Sequence, residues 1–319
     1  MSRGWKVVLI VGGTLAVLYA VFLGVLLYVG GDGGGRGGWG SSGTVGVLRL
    51  DGVVSAGSQD SLFGSEGIDP VWAAETLRDA DADSGIDAVV LRVNSPGGSP
   101  AASWEIYQAV KAMGKPVVVS VADVAASGAY YFSSPADLIV AAPSSQVGSI
   151  GVILSAQDLS GLYEKLGIGY TVLTKGKYKD IGSPAREMTQ EEKDILSAQM
   201  DTIYRQFITD VADGRKNLER EQVEALATGL TYPGEEALRL GLVDKLGSYG
   251  DATNEAARLA GLDVEDYRVR DLAPTASGGL LSLLLGAGVR DALRGAGRDI
   301  AAGLREEFGG ASAARPRVE

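Results

Sequence analysis

The chain has 319 residues, a formal net charge of −11, and neither histidine nor cysteine. Without an imidazole there is no Ser-His-Asp nucleophile; without a thiol there are no cysteine nucleophiles, disulfides, Cys-ligated zinc or c-type haem attachment. The acidic balance argues against a nucleic-acid partner, because phosphate binding needs clustered Lys and Arg.

Residues 1–6, MSRGWK, precede an apolar run without charges from Val7 to Val29. That run is long enough to cross a bilayer core of about 30 Å. Arg3 and Lys6 lie before it and Asp32 is the first charge after it, so the positive-inside tendency keeps the N-terminus in the cytoplasm. The expectation is a single-pass protein of the cell membrane with everything after residue 30 outside the cytoplasm. A cleaved secretory signal is the alternative, set against an unusually long apolar core and no A-x-A site. Residues 30–43, GGDGGGRGGWGSSG, read as a flexible linker.

From Thr44 short apolar strands alternate with helical segments: TVGVLRL, the helix PVWAAETLRDA, the strand IDAVVLRV, the turn NSPGG, the helix SWEIYQAVKAM and the strand KPVVVSV. Such βα units imply mainly parallel strands with covering helices. A further unit, AASGAYYFSSPA then DLIVAAP, contains Ser127. QVGSIGVIL, a helix DLSGLYEKLG and a strand YTVLT come next, then a loop with Lys175, Lys177 and Lys179. The spacing of Leu196, Met200, Ile203, Tyr204, Phe207, Ile208 and Val211 predicts one long helix from Thr189 to about Asp213, its stripe facing core or interface. Two shorter helices, with TYPGEEALRLGLVDKLGSYGD between them, close a domain of residues 44–272. Residues 273–319 form a C-terminal extension in which Val289, Leu293, Ala296, Ile300, Leu304 and Phe308 recur at helical spacing. It reads equally as an amphipathic helix or as a partly ordered tail.

Ser127 lies after an apolar strand and before Gly128 and a short helix. Its side chain there meets helix N-terminal N–H groups, and Gly128 leaves its own N–H open to a substrate oxyanion. Taken locally, a serine N-cap explains the position better. NSPGG adds a second glycine-rich strand-to-helix turn one βα unit earlier, so the two can face one another, with Gly97 or Gly98 as the other oxyanion donor. A tight turn is the plain alternative. If Ser127 is a nucleophile, its base has to be something other than histidine, and Ser-Lys is the leading variant.

LRVNSPGG, VADVAASGAYYFSSPAD, QVGSIGVI, KGKYKDIGSPAR and TYPGEEALRLGLVDKLGS, in that order, resemble signal peptide peptidase A, a family of membrane-anchored Ser-Lys proteases. The resemblance spans roughly residues 44–262. It implies an α/β fold of the Clp-protease and crotonase type, built from repeated β-β-α units. It also implies Ser127 as nucleophile, Lys179 as general base, Ser149 as a helper serine on the lysine amine, and Gly128 with Gly97 or Gly98 as oxyanion hole. No cofactor or metal is implied. The expected partners are peptides, chiefly cleaved signal peptides, the membrane, and further copies of the chain in a homo-oligomer. A related protease of stomatin-like partners is one alternative; an acyl-CoA-binding or scaffold protein of crotonase fold is another.

Overall fold

A computed structural model describes residues 43–57 and 67–272. The expected anchor at 7–29 and extension at 273–319 lie outside the described residues, as does the linker except Gly43, which already pairs with Tyr267. Among the described residues no helix is long and apolar enough to cross a membrane.

The strands are β1 (Gly43–Asp51), β2 (Val53–Val54), β3 (Gly67–Ile68), β4 (Ala88–Ser95), β5 (Val117–Ala126), β6 (Leu138–Ala141), β7 (Gln146–Gly148), β8 (Thr231–Pro233), β9 (Lys245–Leu246) and β10 (Tyr267–Asp271). The helices are α1 (Pro70–Ala82), α2 (Pro100–Lys111), α3 (Gly128–Ser133), α4 (Ser160–Lys165), α5 (Gln190–Gly214), α6 (Arg220–Leu226), α7 (Gly234–Arg239) and α8 (Tyr249–Leu259). The main sheet runs β10-β1-β4-β5-β6-β9, every pair parallel, with β7 joined to the far end of β5 and β8 antiparallel to β7. The architecture is a mixed α/β fold with a parallel-rich sheet.

Both faces of this sheet are covered, so its central strands read as continuous apolar runs. The period of two sorts them cleanly: Leu48, Leu50, Val89, Leu91, Val93, Val117, Val119 and Val121 face one core, Val45, Val47, Ala88, Val90 and Val118 the other. The first core also takes in side chains of α1, α2, α3 and α5. The second is closed by α8, whose Ala252, Ala256 and Ala257 allow a close approach. On that face Arg92 donates to Ser120 Oγ (2.9 Å) and lies 5.7 Å from the centre of the Tyr249 ring, so its charge is partnered although it arises from a central strand.

The structure overturns one expected strand and gives two further stretches their form. YTVLT (170–174) forms no strand: no neighbour offers it a ladder, and Tyr170, Val172 and Leu173 stand exposed. QVGSIGVIL is strand only to Gly148, because Ser149 turns left-handed. The stretch expected between two closing helices itself folds into β8, α7 and β9. The long helix starts where its Thr-x-x-Glu signal puts it, with Thr189 and Glu192 forming a capping box. Its stripe is divided: Phe207, Ile208 and Val211 are buried, while Leu196 and Met200 remain partly exposed.

Candidate active site

The site is assembled by β5 changing partners. Its first half pairs with β6 as far as Val121↔Ala141. Against β4 the register then slips, from Val93↔Val121 to Ser95↔Ala125, and the second half of β5 pairs with β7, ending at Ala126↔Gly148. Extra residues on one strand bend it and re-aim the side chains beyond the bulge. Because β5 and β7 are parallel and end in register, Ser127 and Ser149 emerge side by side at the carboxyl edge of the sheet, where open α/β sheets hold their ligands.

Both serines then take a left-handed backbone, φ 53° at Ser127 and 52° at Ser149; among the described residues no other non-glycine residue has positive φ. Such conformations cost on the order of 1–3 kcal/mol each and persist only where the surroundings enforce them. Here Ser127 N–H donates to Gly148 O (2.8 Å) and Ser149 N–H to Leu230 O (2.7 Å). The turn also decides between the two local readings of Ser127, because its side chain makes no capping hydrogen bond to α3. The hydroxyl is left free at a half-buried position.

The NSPGG turn packs directly against this one. A Cβ on Gly97 would meet Gly128 N at 2.6 Å and Ser127 Cβ at 2.9 Å, and the backbone there is left-handed (φ 92°), so only glycine fits. The two glycines play different parts. Gly97 N–H is taken by Ser95 Oγ (3.1 Å), and Gly97 O accepts from Val54 N–H. Gly98 N–H has no acceptor among the described residues and lies 3.2 Å from where a Gly128 Cβ would stand. Gly128 N–H, at the start of α3, has no acceptor among them either. Beside Ser127, then, are two backbone donors with nothing to donate to.

Two cavities meet at Ser127. One of about 430 Å³ is lined by Ser127, Ser149, Met200, Asp201, Tyr204 and Gly229. The other, about 100 Å³, lies on the oxyanion side against Gly98, Gly128, Tyr131, Ile203 and Phe207. The Tyr131 ring stacks on Phe207 with centroids 4.6 Å apart, and its hydroxyl donates to the Asp210 carboxylate. Burial, reinforced by that carboxylate, pushes the Tyr131 phenol well above its ordinary range, so it stays protonated. The part of the smaller cavity's wall that Tyr131, Ile203 and Phe207 form is thus uncharged.

The lysine loop stands apart. None of Lys175, Lys177 and Lys179 lines either cavity, and all three are exposed. Lys177 is paired with Glu191 on α5 (2.7 Å), and that hydrogen bond holds its amine well above the ordinary lysine range. The Lys179 side chain has no hydrogen bond or ion pair among the described residues. Next to it, Arg186 makes a two-pronged bond to Asp180 (2.8 and 3.0 Å) and another to Glu192 (2.8 and 2.5 Å). Sequence reasoning passed over Arg186, although the Thr-x-x-Glu signal just after it marked Glu192 as fixed.

A serine on a left-handed turn between a strand and a helix, with two free N–H groups beside it, is the geometry of a nucleophile elbow in an α/β protein. Residues 109–263 match peptidase family S49. MJ0651 of Methanocaldococcus jannaschii is 42% identical over 203 residues, 63% of this chain and 65% of that one. Protease 4 of Salmonella typhi is 39% identical over 225 residues, 70% of this chain and 35% of that one. This chain therefore spans somewhat under two thirds of the first relative and about a third of the second. A solved membrane-bound stomatin-specific protease aligns over 74% of this chain with 17% identity and a TM-score of 0.49. With its match to peptidase family S49 and its protease relatives, the chain is similar to the signal peptide peptidase A family.

Proposed function

We propose that the chain is a serine endopeptidase held at the cell membrane by residues 7–29, with a Ser127-Lys179 dyad and a fold of the Clp-protease and crotonase kind. The observation that carries this is the free Ser127 hydroxyl on a left-handed turn beside the unaccepted N–H groups of Gly98 and Gly128. In the reaction a neutral Lys179 amine takes the Ser127 proton, and the serine oxygen attacks a peptide carbonyl. Gly98 and Gly128 N–H receive the oxyanion, and the lysine ammonium protonates the leaving amine. Water then repeats the steps on the acyl-enzyme. Gly97 serves by leaving room, and Ser149, one strand over, orients the amine. The substrates are unfolded apolar peptides of the signal-peptide kind, in keeping with the apolar wall of Tyr131, Ile203 and Phe207.

A lysine base has to be neutral, which requires shelter from water. Lys179 is exposed in the single chain and outside both cavities, so the shelter is assigned to a second copy, whose larger cavity receives the lysine beside its Ser149. Ser127 is tested with a serine-reactive fluorophosphonate: wild type should label and hydrolyse peptides, and Ser127→Ala should do neither. No labelling of the wild type would favour a scaffold. Sharing is tested by co-expressing Ser127→Ala with Lys179→Ala, one of them tagged. Regained activity in confirmed mixed oligomers is expected; no regain would place both groups in one chain.

A further inference from the structure

We infer that Arg186 is a positioning residue for Lys179, acting through the Asp180 carboxylate. The proposal rests on Lys179 being the base. A lysine side chain with no partner of its own is only as well placed as its backbone, and this backbone runs in an exposed loop. The loop is fastened on both sides of residue 179. Before it, Lys177 and the Tyr178 hydroxyl both reach Glu191. After it, Asp180 is gripped by Arg186, which also grips Glu192. Glu191 and Glu192 are neighbours in the first turn of α5, so both fastenings end on one rigid helix.

The second fastening is much the firmer. Lys177 and Glu191 are more than half exposed, whereas the Asp180 and Glu192 side chains are 22% and 5% exposed and Arg186 35%. Glu192 is further fixed by the capping box, accepting from Thr189 N–H (2.9 Å). Only a planar guanidinium can hold two carboxylates with two prongs each; an ammonium supplies the charge but not the fork. The pairing holds Asp180 below the ordinary carboxylate range and Glu192 at about 2, so the bridge stays ionised through neutral and mildly acidic pH. Arg186 thus ties the residue after the base to the first turn of α5.

The experiment measures kcat and KM on an apolar peptide for the full chain carrying Arg186→Lys, Asp180→Asn, Lys179→Ala, and Arg186→Lys with Lys179→Ala. A base displaced by about 1 Å costs on the order of a hundredfold in rate. Arg186→Lys and Asp180→Asn should therefore each lower kcat about 10- to 100-fold with KM within about twofold, and Arg186→Lys should add nothing to the loss from Lys179→Ala. Asp180→Asn leaves Arg186, Glu192 and the cap of α5 in place, which guards against a variant that merely fails to fold. A folded Arg186→Lys or Asp180→Asn enzyme with wild-type kcat, or losses that multiply with that of Lys179→Ala, would overturn the positioning role. Full activity in Lys179→Ala would instead strike down the base assignment.

Discussion

Ser127 and Lys179 belong to two regions stabilised by different means. The serine turn is held by backbone and packing: three parallel strand ends, six buried residues of α3, and glycines with no room for a side chain. The segment from Gly151 to Thr189 has a short helix, α4, with no buried residue, and exposes Ile153, Leu166, Tyr170 and Leu173. Its order comes from local turns and from ion pairs to α5. One region is held by its own packing; the other leaves large apolar side chains in solvent.

Glycine substitutions should separate the two most widely. Gly97 and Gly176 both have positive φ, at 92° and 104°, so alanine strains both backbones. At Gly97 the new methyl also runs into Gly128 N and Ala126 O at 2.6 and 2.7 Å, both backbone atoms, whereas at Gly176 it meets nothing within 4 Å. Gly97→Ala should therefore abolish measurable hydrolysis and lower the melting temperature by many degrees. Gly176→Ala should cost only the strain, on the order of 1 kcal/mol. Equal melting temperatures for the two variants would break the comparison.

A smaller effect is expected inside the packed region. Ser149→Ala removes an oxygen that donates to Gly229 O (3.2 Å) and leaves the Ser127 turn intact, since Ser127 leans on the Gly148 carbonyl rather than on the Ser149 side chain. Hydrolysis should fall about tenfold, mostly in kcat, with fluorophosphonate labelling of Ser127 slowed but complete. A loss as deep as that of Ser127→Ala would make Ser149 part of the proton path itself.

Much of the packed region could be read from the sequence. Tandem glycines and NSPGG mark turns whatever the tertiary context, and uninterrupted Val and Leu runs mark strands covered on both faces. The left-handed backbone at Ser127 could not be read, because serine carries no signal for positive φ and favours capping instead. It is imposed by β5 leaving β6 for β7, a long-range pairing. YTVLT fails for the complementary reason: its alternation suits a strand, but a strand needs an edge, and edges are a property of the assembled sheet. Arg186 lay inside a recognisable motif, yet its two-carboxylate grip depends on a turn that brings Asp180 back to the start of α5.

Acid should find the second region before the first. Glu192 titrates at about 2 in the fold against an ordinary value of 4.5, lowered chiefly by its hydrogen bond from Arg186 and next by the Thr189 N–H. A depressed carboxylate stabilises the fold fully above the unfolded value and loses that contribution as pH falls from about 4.5 towards 2. Glutamine at 192 keeps the capping box but not the charge. The urea midpoints of wild type and Glu192→Gln should be well separated at pH 6 and converge as the pH is lowered to 3 and below. A separation that stays constant or widens in acid would show that Glu192 acts by shape rather than by charge.

The smallest effect should come from Lys177→Ala, and it sharpens the assignment of the base. Lys177 and Glu191 are both largely exposed, their pairing is screened by solvent, and the firmer grip of Arg186 on Asp180 and Glu192 is untouched by the change. The paired amine of Lys177 is also held above the ordinary lysine range by its hydrogen bond to Glu191, which makes it less ready than an unpaired amine to take a proton from Ser127. Hydrolysis by Lys177→Ala should stay within about threefold of wild type, and the pH at which the rate rises should not move. Lys179→Ala, two residues away, should fall by about a thousandfold over the same range. The pair is measured side by side on one peptide between pH 6 and 10. If Lys177→Ala fell as far as Lys179→Ala, the two amines would form a single unit, and the loop would matter for its summed charge rather than for one placed base.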